Sequence, residues 1–211
     1  MCIRDRSTNL ATEINLNLSA TDVVRLQENL LVATSINTTW LVYTRALISD
    51  AYNNPILTAI DGENATMAAD YTADSINPTV VQFTQLSLQT NSFTVLFSEP
   101  VLATSYVANR FTIRSQEQGG QSQTLSGGNQ TLSPTSSSTL IVFISDFDLT
   151  ELKRTFGIAD NDSTSFIEIA DGAVTDTAGN PVVGTTNATG CLLYTSPSPR
   201  DATLSRMPSS A

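Results

Sequence analysis

The chain of 211 residues contains no histidine. It has only two cysteines, Cys2 and Cys191, one near each end. Lysine and arginine are scarce, ten in all against twenty Asp and Glu. No apolar run approaches the roughly 18–20 residues of a membrane-spanning helix. Each shortage excludes something. Without histidine there is no Ser-His-Asp triad, and without grouped Cys or His no ordinary zinc site. The net charge of −10 disfavours nucleic acid and anionic membrane surfaces. The shortage of cysteine leaves the compartment open, because disulfide-free proteins occur both inside and outside cells.

The two cysteines sit in segments of a different character. "CLLYTSPSPRD" (Cys191–Asp201) follows an acidic stretch rich in Thr, Asn and Ser, and "MCIRDR" opens the chain. Back-translated, both resemble the transposase mosaic end used in short-read sequencing libraries, on opposite strands. "SRMPSSA" (Ser205–Ala211) resembles the outer end of the same adapter. Residues 1–6 and 191–211 are therefore expected to be translated adapter, and are set aside in reading the fold. Ser7–Gly190 is then an internal piece of a longer reading frame. Both cysteines leave with the ends, and with them any thiol nucleophile. So do four basic residues (Arg4, Arg6, Arg200, Arg206) and two acidic ones (Asp5, Asp201). Six basic residues remain against eighteen acidic ones, a net charge of −12.

A repeat lies inside the remainder. Leu18–Ile56 aligns without a gap on Ile144–Val182, at an offset of 126 residues. Identities include Asp22/Asp148, Leu26/Leu152, Ala33/Ala159, Thr38/Thr164, Asp50/Asp176, Asn54/Asn180 and Pro55/Pro181. The expected organisation is the back half of one module over 7–74 and most of a second over 75–190. The first, lacking its opening strands, should expose a sheet edge and apolar surface. By the same offset Ala65–Ala73 would recur at 191–199, where the adapter-like segment stands. The second module is thus expected to lack its last strand, with Leu192–Thr195 filling the vacated edge.

The second module reads as short strands separated by turn signals. "PTVVQFTQL" (Pro78–Leu86) is β-rich. Phe93, Val95 and Phe97 alternate with Thr94, Leu96 and Ser98, the period of a half-buried strand. "NRFTIRS" alternates through Phe111 and Ile113, and "TLIVFI" (Thr139–Ile144) suits a central strand. "SFIEI" and "GAVTD" complete the set, and Gln116–Ser138 reads as loops around a weak hairpin. One helix interrupts them. "DLTELKRTF" starts at Asp148, with Glu151 three residues on as in a capping box and Lys153-Arg154 toward the other end. Leu149, Leu152 and Phe156 fall on one face. Val23, Leu26 and Leu30 repeat that face in the first copy.

Acidic and amide residues supply the only chemistry-bearing motifs. "DTAGN" (Asp176–Asn180) and its counterpart "DAYNN" (Asp50–Asn54) suit a turn closed by side-chain hydrogen bonds. "FSEPV" puts Glu99 at a strand end before a strand-breaking proline, where it reads as a solvated or turn-capping group. "SDFD" (Ser145–Asp148) and "DND" (Asp160–Asp162) gather carboxylates near the helix ends. A hard cation such as Ca²⁺ takes several such oxygens. Candidate ligands are Glu99, Asp146, Asp148, Asp160, Asp162, Asp176 and Asn180, although no EF-hand spacing is present. A glycosidase would need two carboxylates held in a cleft, which one repeated sandwich does not evidently offer. No catalytic residue and no other cofactor is expected. Six Asn-X-Ser/Thr sequons, at Asn17, Asn37, Asn64, Asn129, Asn161 and Asn187, are compatible with secretion.

The string "INPTVVQF…NSFTVLFSEPV…NRFTI…TLIVFI…GAVTDTAGNPV" resembles bacterial Ig-like surface repeats of the S-layer type. It has their D-x-x-x-P opening (Asp74 to Pro78), their FSEPV-like strand and their D-x-x-G-N turn. The resemblance covers most of 74–184 and, through the repeat, 18–56. It implies a mostly β fold, with Ig-like β-sandwich repeats in tandem, each with one short helix. It implies a non-catalytic structural or adhesive role in a large extracellular or cell-surface protein. Partners would be neighbouring repeats of the same chain and cell-surface or matrix ligands, with no nucleic acid and no membrane insertion. The alternatives are a Ca²⁺-dependent or carbohydrate-binding module, or an accessory region of a large secreted enzyme.

Overall fold

The computed structural model describes residues 13–127 and 136–185, and the backbone of 189–190. The chain divides between Asp74 and Ser75 into two units. The first holds α1 (Ala20–Glu28), β1 (Trp40–Leu41) and β2 (Thr66–Met67). The second holds β3 (Val80–Ser87), β4 (Ser92–Leu102), β5 (Phe111–Arg114), β6 (Ser122–Thr124), β7 (Ser136–Phe143), α2 (Asp146–Arg154), β8 (Phe166–Ile169) and β9 (Thr189–Gly190).

Period-two alternation builds the second unit. Phe93, Val95 and Phe97 of β4 are buried while Thr94, Leu96 and Ser98 are not. β5, β7 and β8 alternate in the same way, through Phe111/Ile113, Leu140/Val142 and Ile167/Ile169. Two antiparallel sheets result, in the orders β3-β4-β7 and β6-β5-β8-β9. Their inner faces share one core, and Phe93 joins them. Its ring lies 6.2 Å from Phe83 in the same sheet, edge-on, and 5.9 Å from Phe111 in the other. This is a mostly β, sandwich-type architecture.

Several local expectations need correction. α2 begins at Asp146 and is capped by Ser145, not by Asp148. Ser145 Oγ accepts from Asp148 N–H and donates to the Asp148 carboxylate, so the reciprocal cap lies three residues earlier than Asp148–Glu151 implied. The helix ends at Arg154, so Phe156 leaves its apolar face and is exposed. "TLIVFI" is an edge strand among the described residues, paired with β4 alone. "GAVTD" forms isolated bridges rather than a strand, and Ala173 and Val174 still reach the core. Pro100 does not end its strand. β4 advances five residues, Leu96 to Val101, while β7 advances two, and this bulge absorbs the proline. The expected strand at Leu192–Thr195 lies outside the described residues; β9 pairs with β8 through Thr189 and Gly190.

Gly184 marks the closest backbone approach. A Cβ there would come within 2.7 Å of Ile169 O and Asp171 N. Gly184→Ala is expected to destabilise by about 1–3 kcal/mol, since backbone cannot yield as a flexible side chain would. Urea denaturation followed by circular dichroism measures it, and an unchanged midpoint would contradict the packing.

The first unit reproduces local structure of the second, 126 residues earlier. α1 and α2 begin and end at that offset, with Ser19 and Ser145 as N-caps. The 3₁₀ turns Ile36–Thr38 and Asp162–Thr164 do too. Ala33 and Ala159, both left-handed, have φ of 56° and 54°. Ile48 O accepts from Ile56 N–H at 3.0 Å, and Val174 O from Val182 N–H at 2.9 Å. What differs is burial. Among the described residues of this unit, Ala59 alone is a buried apolar side chain. Trp40, Leu41, Val32 and Met67 are exposed.

Candidate functional site

β4 carries Glu99 in the same odd-numbered series as Phe93, Val95 and Phe97, and this sends it inward. It is 7% exposed, so the expectation of a solvated rim residue is corrected by the strand's own alternation. Asp176 is 1% exposed and faces it across the end of the strand. Two contacts fix that meeting. Val101 forms an antiparallel bridge with Asp176, and Leu102 N–H donates to Thr175 O at 2.8 Å. Carboxylate oxygens of Glu99 and Asp176 lie within 4.8 Å of each other. Ca²⁺–oxygen distances of about 2.3–2.6 Å allow one ion to bridge such a pair.

Asp176 also closes its own turn. Its Oδ1 accepts from Ala178 N–H at 2.9 Å and Asn180 N–H at 2.7 Å, and its Oδ2 from Asn180 Nδ2 at 2.8 Å. Gly179 supplies the left-handed residue, φ 93°. The structural role expected of D-T-A-G-N is thus present, and Asn180 belongs to it. The first unit has the same turn. Asp50 Oδ1 accepts from Tyr52 and Asn54 N–H, Oδ2 from Asn54 Nδ2, and Asn53 supplies φ 65°.

The exposed copy gives a pH test. The Asn54 side chain, then its backbone N–H, holds the Asp50 carboxyl below its ordinary value of 3.8. A depressed folded-state pKa gives stabilisation that is present above the ordinary value. It is lost as pH falls through the folded value. Carbon-detected NMR titration should find Asp50 titrating below 3.8. Asn54→Ala should move it back up, and an unmoved value would show the amide does not hold it.

The other candidate ligands fall apart spatially. Asp148 is fully buried and serves the fold. It accepts from Ser126 N–H and Ser126 Oγ at 3.0 Å and from Ser145 Oγ at 2.7 Å, tying the segment after β6 to α2. Its charge adds to the effect of burial in pushing up the Tyr106 hydroxyl. Asp146 is exposed on the first turn of α2. Asp160 accepts from Gly157 N–H, and exposed Asp162 from Ser163 N–H. Among the described residues these four join no three-carboxylate cluster. Ser126 was not legible as a partner of Asp148, because nothing in sequence marks a contact across 22 positions.

Comparison with known protein families finds no match. No curated protein matches either. The N-terminal part of the bacterial S-layer protein SbsC is similar in structure over 56% of this chain, at 18% identity and a TM-score of 0.35. The match covers 24% of that chain. So distant a likeness carries no argument. Among the described residues, no helix is long and apolar enough to cross a membrane.

Proposed function

We propose that this chain is part of a large extracellular or cell-surface protein in which Ig-like repeats act as non-catalytic structural and adhesive modules. One observation carries the proposal. Helix, serine cap, 3₁₀ turn, left-handed alanine and Asp-Asn turn recur at the same offset of 126 residues in both units. A shared constellation of that detail supports repeated modules more economically than two unrelated folds. The neighbours of each module would be further repeats, and its ligands surface or matrix components. Long-read sequencing of the source DNA tests this. Further D-x-x-x-P…FSEPV units on both sides are expected. A single copy fused to a catalytic domain would favour an accessory region of a secreted enzyme instead. Genomic DNA encoding "CLLYTSPSPRD" would overturn the adapter reading of the ends.

A second reading, a Ca²⁺-dependent module, is favoured by the buried Glu99–Asp176 pair. Its test is thermal unfolding with millimolar Ca²⁺ against chelator. The structural reading expects equal melting temperatures. A Ca²⁺-raised melting temperature that Glu99→Gln abolishes would establish the second reading.

A further inference from the structure

The offset of 126 lets the first unit be compared with the second position by position. Leu41 is 52% exposed where its counterpart Ile167 is 0%, and Val32 is 43% exposed where Ile158 is 1%. Val23 and Ile48 are likewise exposed where Leu149 and Val174 are buried. In the second unit these counterparts pack into one cluster with Phe83, Phe93, Val95, Leu140 and Val142, the inner face of β3-β4-β7. The sheet edge repeats the pattern. β8 has β5 on one side and β9 on the other, whereas among the described residues β1 has β2 alone.

We propose that the apolar face and open β1 edge of the first unit form a docking surface for the front half of a module of this same type. The occupant is a polypeptide with the sequence character of Ser75–Phe143. Its β5-like strand adds to β1, and its three-stranded sheet covers Leu41, Val32 and Ile48. The register follows from the second unit. Ile113 pairs with Ile167 and Phe111 with Ile169, so the added strand would set Ile113 opposite Leu41 and Phe111 opposite Tyr43. Backbone pairing supplies the attachment and the alternating apolar side chains supply selectivity. The inference rests on the repeat proposed above, and it adds a surface, an occupant and a register.

Trp40, the only tryptophan in the chain, sits on that edge and reports on it. The full chain is compared with the same chain carrying a second Ser75–Phe143 segment joined directly ahead of Leu18. Docking predicts a blue shift of Trp40 emission, acrylamide quenching reduced in step with the half-buried state of its counterpart Phe166, and hydrogen-exchange protection of the 40–43 amides raised at least about 100-fold. Ile113→Asp in the added copy alone should abolish all three, while the second unit keeps its own Ile113. Trp40 remaining as accessible in the extended chain as in the original would overturn the proposal. So would sedimentation showing that the original chain dimerises with Trp40 protected, because a second copy would then be the occupant. These outcomes are independent of the genomic test. Docking with a single-copy locus would sink the repeat array and keep the surface. No docking with a repeated locus would do the reverse.

Discussion

Phe93→Ala is expected to lower the unfolding free energy of the second unit by about 3–5 kcal/mol. Phe93 is 1% exposed and is the ring that touches aromatic side chains in both sheets. Truncation removes the burial of one large side chain and two ring contacts, each worth about 0.5–1.5 kcal/mol. It also leaves a cavity at the seam of the sandwich, where two sheets would have to move together to close it. Leu96→Ala, three residues on and facing away from the core, is expected to cost far less. Denaturation monitored by far-ultraviolet circular dichroism compares the two. Equal, small losses would mean that the sheets do not share a core through Phe93.

Asp148→Ala should be nearly as damaging, by about 2–4 kcal/mol. It removes the fully buried carboxylate that accepts from Ser126 N–H, Ser126 Oγ and Ser145 Oγ, leaves these part-buried bonds unmade, and takes away half of the α2 cap. The counterpart provides the control. Asp22 meets Ser19 in the same reciprocal cap, but in an exposed setting. Asp22→Ala is expected within about 1 kcal/mol of the parent, the ordinary cost of a lost surface cap. If both variants lost the same amount, burial would not be what gives Asp148 its weight.

Much of the architecture was legible because sheets impose a period of two. Phe93, Val95, Phe97, Phe111 and Ile113 were assigned to a buried face, and they are there. The same period, carried one step further, would have placed Glu99 inside. The proline after it drew attention to a strand end, which a bulge made unnecessary. The helix was legible in place but not in phase. Ser145-x-x-Asp148 and Asp148-x-x-Glu151 both suit a helix start, Ser and Asp cap about equally well, and the structure uses Ser145, which leaves Asp148 free to reach Ser126. The D-T-A-G-N turn was legible whole, since the bonds that close it run between its own residues. The meeting of Asp176 with Glu99 was not, because it depends on a bridge to Val101 between segments 75 residues apart.

The segment that opens the second unit's sandwich and the segment that leads into β9 lie side by side and run in the same direction. Thr79 pairs with Val183 in parallel, and Val183 N–H donates to Pro78 O at 2.9 Å. A stretching force applied between neighbouring modules would therefore drag these segments lengthwise past each other. Their hydrogen bonds would be loaded in shear and would have to fail together, not peel apart one at a time. Such a unit would hold its shape under tension and yield abruptly. In that case Thr79 and Val183 would set the load it can bear.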